Sequence, residues 1–238
     1  MHDYYMKRQK SIKKTYSKMT KWAEKILIAY LKPEEVNLIL DDVKLEADQI
    51  ISRLPYIGGR KNAFSNIIEM NGWFIAFYKA SSKHGFDAVM ASYINYKVSI
   101  KFFDQVPRLF RRPIGRLAFT SLGKSYFRRQ ALESQKEKFE EDFIYTFDAA
   151  DKSCRFEFKE CAVQKFYESE GVEELKHFCN FADPIYSKLF GMGCDASHSL
   201  ATGFNTCILD YELNRETKLP DNVEEMIQMA EEKLLTLT

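Results

Sequence analysis

The spacing of apolar residues changes near residue 142, and that change constrains the fold more than any other feature. Before it, apolar side chains recur at intervals of three and four. After it, Phe143, Tyr145 and Phe147 alternate with Ile144 and Thr146, and Cys154, Phe156 and Phe158 alternate with Arg155, Glu157 and Lys159. The first pattern lays one stripe along a helix and the second lays one face along a strand. The expected class is α+β: a helical region over residues 1–140 packed on a small antiparallel sheet, built over 141–238 from two hairpins with intervening helices. The two parts can be read as separate units or as one continuous domain.

Within the helical part, Ile12, Tyr16, Met19, Ala23, Ile26 and Tyr30 form one apolar stripe between Tyr4 and Leu31. Pro33 suits the first turn of a second helix, which Pro55 and Gly58-Gly59 end. Asn62 is placed to cap a third helix through Lys79, and Asp87 a fourth to about Asp104. After Pro107 and Pro113 a fifth is predicted from about Arg116 to Phe139. Beyond the first hairpin, Cys161–Ser169 is read as helix, then Val172–Phe190 with a kink at Pro184. Two strands, Cys194–Thr202 and Asn205–Leu213, follow, joined by Gly203-Phe204 as a type II′ turn. A last helix is expected from Asp221, with Glu224 completing a capping box.

The chemistry-bearing residues are polarised. All five cysteines (Cys154, Cys161, Cys179, Cys194 and Cys207) lie in the second part, with His177 and His198 among them. An odd number of cysteines and no segment patterned like a secretory signal favour reduced thiols and a cytoplasmic location. Apolar runs such as Ile26–Leu31 fall far short of the roughly 18 residues a membrane span needs. A net charge of +1 provides no global field toward nucleic acid.

A two-residue turn at Gly203-Phe204 would pair Leu200 with Cys207 and His198 with Leu209. Cys194, His198, Leu200, Cys207, Leu209 and Tyr211 would then share a face, with His198 diagonal to Cys207. Cysteine beside histidine is a minimal nucleophile–base pair, since imidazole can take the thiol proton near neutral pH. Cys161, at a strand-to-helix junction, is a second candidate nucleophile, because helix amino-terminal amides lower a thiol pKa. Cys179 and Asp183, four apart, share a face if their helix is unbroken; alternatively Asp183 caps a new segment before Pro184. Each thiol also has a plain reading as a small core hydrophobe. No Cys-x-x-Cys or His-x-x-x-His pair occurs, so no metal site and no cofactor are assigned.

The order of these residues resembles a known pattern. Cys161, then Cys179 with Asp183 four residues on, then Leu200-Ala201-Thr202-Gly203-Phe204-Asn205-Thr206-Cys207, is similar to the L-2-amino-thiazoline-4-carboxylic acid hydrolase family. The glycine-to-cysteine strand turn also looks like that of vinyl-reductase-type small-ligand domains. The resemblance covers roughly residues 140–213. It implies a hydrolase-like protein acting on a non-peptide carbon–nitrogen bond of a small cyclic amidine carboxylate and leaving an N-carbamoyl amino acid. On that reading Cys207 or Cys161 is nucleophile, His198 the base and Asp183 an orienting carboxylate, with Cys179 and Gly203 beside the substrate. The family continues its last cysteine with Asp-Phe-Arg, whereas Cys207 is followed by Ile208-Leu209-Asp210. That departure favours the alternative, a non-catalytic small-molecule-binding or sensory domain on the same fold.

Two basic clusters stand out: seven cations between Asp3 and Glu24, and Arg108, Arg111, Arg112, Arg116, Lys124, Arg128 and Arg129 between Asp104 and Glu133. Such patches can meet phosphate or an anionic membrane, but most are solvated helix faces, and nucleic acid is not assigned as a partner. Arg116 is the candidate clamp for a substrate carboxylate. The basic first helix leaves self-association into a homo-oligomer as a further partner reading.

Overall fold

The computed structural model describes residues 2–237. Helices α1 (Asp3–Leu27), α2 (Pro33–Ile50), α3 (Ser65–Ser82) and α4 (Ala88–Asp104) form the first part. Tyr5, Ile12, Tyr16, Met19, Ala23 and Leu27 of α1 are buried, as the three-and-four spacing requires. Pro33 opens α2, and the Asp87 side chain accepts from the Met90 N–H to cap α4. Asn62 stands three residues ahead of α3. Its Oδ1 accepts from Phe64 N–H at 2.9 Å while its Nδ2 donates to the Asp142 carboxylate.

The predicted single helix from Arg116 to Phe139 is in fact two. Helix α5 spans Arg108–Leu117 and α6 spans Ser121–Ser134, with Thr120 capping α6 by accepting from Gly123 N–H at 3.1 Å. A side chain at Gly123 would lie 2.0 Å from the Leu117 carbonyl, so the corner is open only to glycine.

Strands β1 (Ile144–Ala149), β2 (Ser153–Glu160), β3 (Gly193–Asp195) and β4 (Cys207–Glu212) make one antiparallel sheet in the order β1-β2-β4-β3. The first hairpin has its expected facing: Tyr145 pairs with Phe158 and Phe147 with Phe156, all buried. Phe64, just before α3, meets Phe143, Tyr145 and Phe158 edge-on at 5.3–5.6 Å, and Phe127 of α6 does the same to Phe156 at 5.1 Å. Offset and edge-on pairs of this kind are favoured by the ring quadrupole. One buried core therefore runs from Tyr5 to Leu234 through both parts of the chain.

Between β2 and β3 lie α7 (Ala162–Ser169), a run of tight 3-10 turns (Glu173–Phe181) and α8 (Ala182–Phe190). The break falls before Ala182, not at Pro184, which occupies the first turn of α8 where its missing N–H costs nothing. Cys179 and Asp183 are accordingly not on one continuous helix. The second hairpin also differs from expectation. The Asp195 carboxylate accepts from the backbone and hydroxyl of Ser197 and ends β3 early. Leu200–Thr202 is a tight turn closed by Gly203 at φ +89, in place of a type II′ pair. Helix α9 (Asp221–Leu235) follows; Pro220, not Asp221, is its cap, and the capping box with Glu224 is not formed. Glu170, at the end of α7, takes Arg53 and Lys79 each at 2.7 Å, tying α7 to the end of α2 and to α3. Among the described residues no helix is long and apolar enough to cross a membrane.

Candidate functional site

Cys161 is the last residue before α7, in extended conformation (φ −118, ψ 114), so β2 delivers it to the amino terminus of that helix. Cys207 opens β4 opposite Phe158 of β2, which brings it beside the same junction. Its Sγ accepts from Leu200 N–H at 3.1 Å. Cys179 arrives from the 3-10 run and receives the Gln164 carboxamide at 3.6 Å. Asp183, in the first turn of α8, accepts from the Tyr211 hydroxyl at 2.7 Å. The charges of Cys161, Cys179 and Cys207 act on one another, and Asp183 acts on Cys161, Cys207 and Cys194. Cys161, Cys194 and Cys207 are thus within electrostatic reach of one carboxylate, and Cys179 within reach of Cys161 and Cys207; Cys154 interacts with neither group.

Cys161, Cys179 and Asp183 are half-buried and not sealed off from solvent. They sit where the ends of β2 and β4, α7, the 3-10 run and α8 meet. Tyr167 of α7 is buried and locked by a 2.5 Å hydrogen bond to Asn71 of α3.

The electrostatics follow from burial. Desolvation pushes the Cys161 thiol up to about 12, against the pull of the Gln164 and Val163 amides at the start of α7. Burial also raises Cys179, with Cys161 and Cys207 adding to it, and raises Cys207 despite the bond from Leu200. The amino-terminal amides therefore do not make Cys161 a thiolate; desolvation is the larger effect. Asp183 is also raised by burial, only partly offset by Tyr211. No cation contacts Asp183, and its Oδ2 takes no hydrogen bond from another residue among the described residues. A carboxylate enclosed without a counter-ion costs stability, and such groups concentrate where chemistry or ligand binding uses them.

Several predicted site residues lie elsewhere. His198 is not joined to Cys207: its Nε2 lies 3.2 Å from Thr206 Oγ1, and its ring stacks on Phe204 at 3.9 Å. With β3 ended at Asp195, the register that set His198 diagonal to Cys207 does not exist. Arg116 is exposed on α5, and its side chain forms no hydrogen bond or ion pair among the described residues. Gly203 is exposed, and its role is the left-handed turn. Sequence reasoning placed Tyr211 on the right face but gave it no role, and it missed Gln164. Tyr211 pairs with Cys194 across β3–β4, so period two alone carries it toward Asp183.

Among the described residues no three His, Cys, Asp or Glu side chains converge as a metal-ligand set. A crevice of about 1100 Å³ opens elsewhere, lined by Tyr4, Arg60, Asn62, Tyr126 and Phe139 among others, and no thiol borders it. No family model matches the chain, and no curated protein or solved structure matches it at a significant level.

Proposed function

We propose that the junction of β2, β4, α7 and α8 encloses a hollow beside Asp183 that takes a small cyclic amidine carboxylate, and that the protein is a cytoplasmic hydrolase-like enzyme opening it, with Asp183 as general base. The observation that carries this reading is Asp183 itself: enclosed, held by Tyr211, raised in pKa and lacking a cation. An amidine offers N–H donors to the unfilled oxygen, and a carboxyl with a raised pKa is better matched to proton transfer near neutral pH. Water adds to the amidine carbon. Asp183 takes one of its protons as the oxygen attacks and returns it to the ring atom that departs. The second water proton ends on the ring nitrogen, the bond from the amidine carbon to the ring sulfur breaks to leave a thiol, and that carbon stays on the ring nitrogen as a carbamoyl group. Because burial keeps the thiols protonated and the His198 ring bonds to none of them, they serve as walls and weak hydrogen-bond partners and not as nucleophiles.

A second reading, a non-catalytic binding or sensory domain, is favoured by those same protonated thiols. Incubation with 2-amino-thiazoline-4-carboxylate, following substrate loss by chromatography and binding by calorimetry, separates the two. Ring opening supports the enzyme, and heat of binding without turnover supports the sensor. Neither signal would remove both readings for this ligand class.

A further inference from the structure

Helix α5 is built inside out. The residues it buries are Arg111 and Gly115. Arg111 turns inward, donating to the Val106 and Asp104 carbonyls at 2.7 and 2.8 Å and to the Asp104 carboxylate at 2.7 Å. Gly115 lies so close to the end of α8 that a side chain there would stand 2.6 Å from the Phe190 carbonyl. The opposite side carries Leu109, Phe110, Pro113, Ile114 and Leu117, all exposed, Leu109 by 80%. At about 100° per residue these five form one stripe directly across from the buried strip. Leu122, at the start of α6, is also exposed, by 84%.

Arg108, Arg112 and Arg116 lie together on one shoulder of the stripe, exposed and without partners among the described residues. From residue 105 to 132 there are seven cations and no Asp or Glu. Scattered exposed leucines need no explanation, but a contiguous apolar stripe with a cationic flank does.

We propose that this face is a peripheral docking surface for a lipid bilayer rich in anionic headgroups. The stripe would enter the headgroup–acyl boundary to about 5–10 Å while the arginines meet lipid phosphates. Charge complementarity selects this occupant. A second copy pairing by this face would oppose the same arginines with no acid within the segment to neutralise them. The surface is independent of the thiol-lined hollow and needs no helix long enough to span.

The experiment is sedimentation of the full chain with phosphatidylglycerol-rich vesicles and with phosphatidylcholine vesicles, at low and high salt. Binding is expected to the anionic vesicles alone and to weaken with salt. An Arg108→Gln/Arg112→Gln/Arg116→Gln variant should lose about 100-fold in partition, roughly fivefold per arginine. A Leu109→Ser/Leu117→Ser variant should lose binding even at low salt; all five positions are exposed, and circular dichroism checks that both variants remain folded. Equal binding to both lipids, or variants that bind like the parent, would overturn the proposal. So would a lipid-free dimer that the leucine changes dissociate, since a second copy would then be the occupant.

Discussion

Asp183→Asn is expected to abolish turnover, by about 10²–10⁴-fold, while leaving the folded chain at least as stable at neutral pH. Most buried-residue changes do the reverse on the second count. Asparagine keeps an acceptor for the Tyr211 hydroxyl, so the 2.7 Å bond persists, but it cannot take a proton. The stability sign follows from the direction of the pKa. Burial places the folded carboxyl above its unfolded value, so the folded chain binds that proton more tightly than the unfolded chain. Stability assigned to Asp183 is therefore highest in acid, below the unfolded value, and falls as pH rises through the folded one. At neutral pH the ionised group is a net cost, and its removal should stabilise by about 0.5–2 kcal/mol. The gain should disappear in acid, where both chains carry a neutral group. Thermal unfolding of the two chains across pH checks this. A variant destabilised at neutral pH would mean that a cation holds the carboxylate after all.

Trp73→Ala is expected to cost about 3–5 kcal/mol, a fall in Tm of roughly 6–20 °C for a chain of this size. Trp73 is fully buried at the centre of α3, stacked on Phe77 at 5.3 Å and edge-on to Phe74 at 6.1 Å. Its indole N–H donates to Thr20 Oγ1 at 3.1 Å, and the Thr20 hydroxyl donates in turn to the Tyr16 carbonyl. Truncation leaves a cavity and removes the interior bond linking α3 to α1. Denaturant unfolding measures it, and a loss below about 1 kcal/mol would show that neighbouring helices collapse into the space.

Which parts of this molecule were readable from its residues follows from the range of the forces involved. Helices α1, α2, α4 and α9 and the first hairpin carry their periods in adjacent residues, and the period sets the face. The corner between α5 and α6 depends on Gly123 passing the Leu117 carbonyl, a contact that no periodicity encodes. Gly203 required a left-handed residue in either reading, but a positive φ serves a type II′ hairpin turn and the end of a 3-10 turn alike. The error in β3–β4 is instructive. The expected register would have paired residues two positions away from the observed Cys194–Tyr211 match. A slip of two preserves facing, so Cys194, Cys207 and Tyr211 still share a side, whereas a slip of one would have reversed it. His198 was lost because the Asp195 turn ends the strand before it, a local side-chain bond stronger than the strand pattern. Asp183 was visible as a candidate, but the absence of any counter-ion around it was not.

Ligand binding beside Asp183 requires a small molecule to reach Cys161, Cys179 and Cys207 inside the folded protein. Mass-spectrometric mapping after extended exposure of the native chain to methyl methanethiosulfonate, long enough for protonated thiols to react but short against global unfolding, tests that directly. Modification is expected at these three, with buried Cys154 and Cys194 spared until the chain unfolds. Five thiols modified only at the rate of global unfolding would contradict it, because the hollow would then be closed to ligands of any kind.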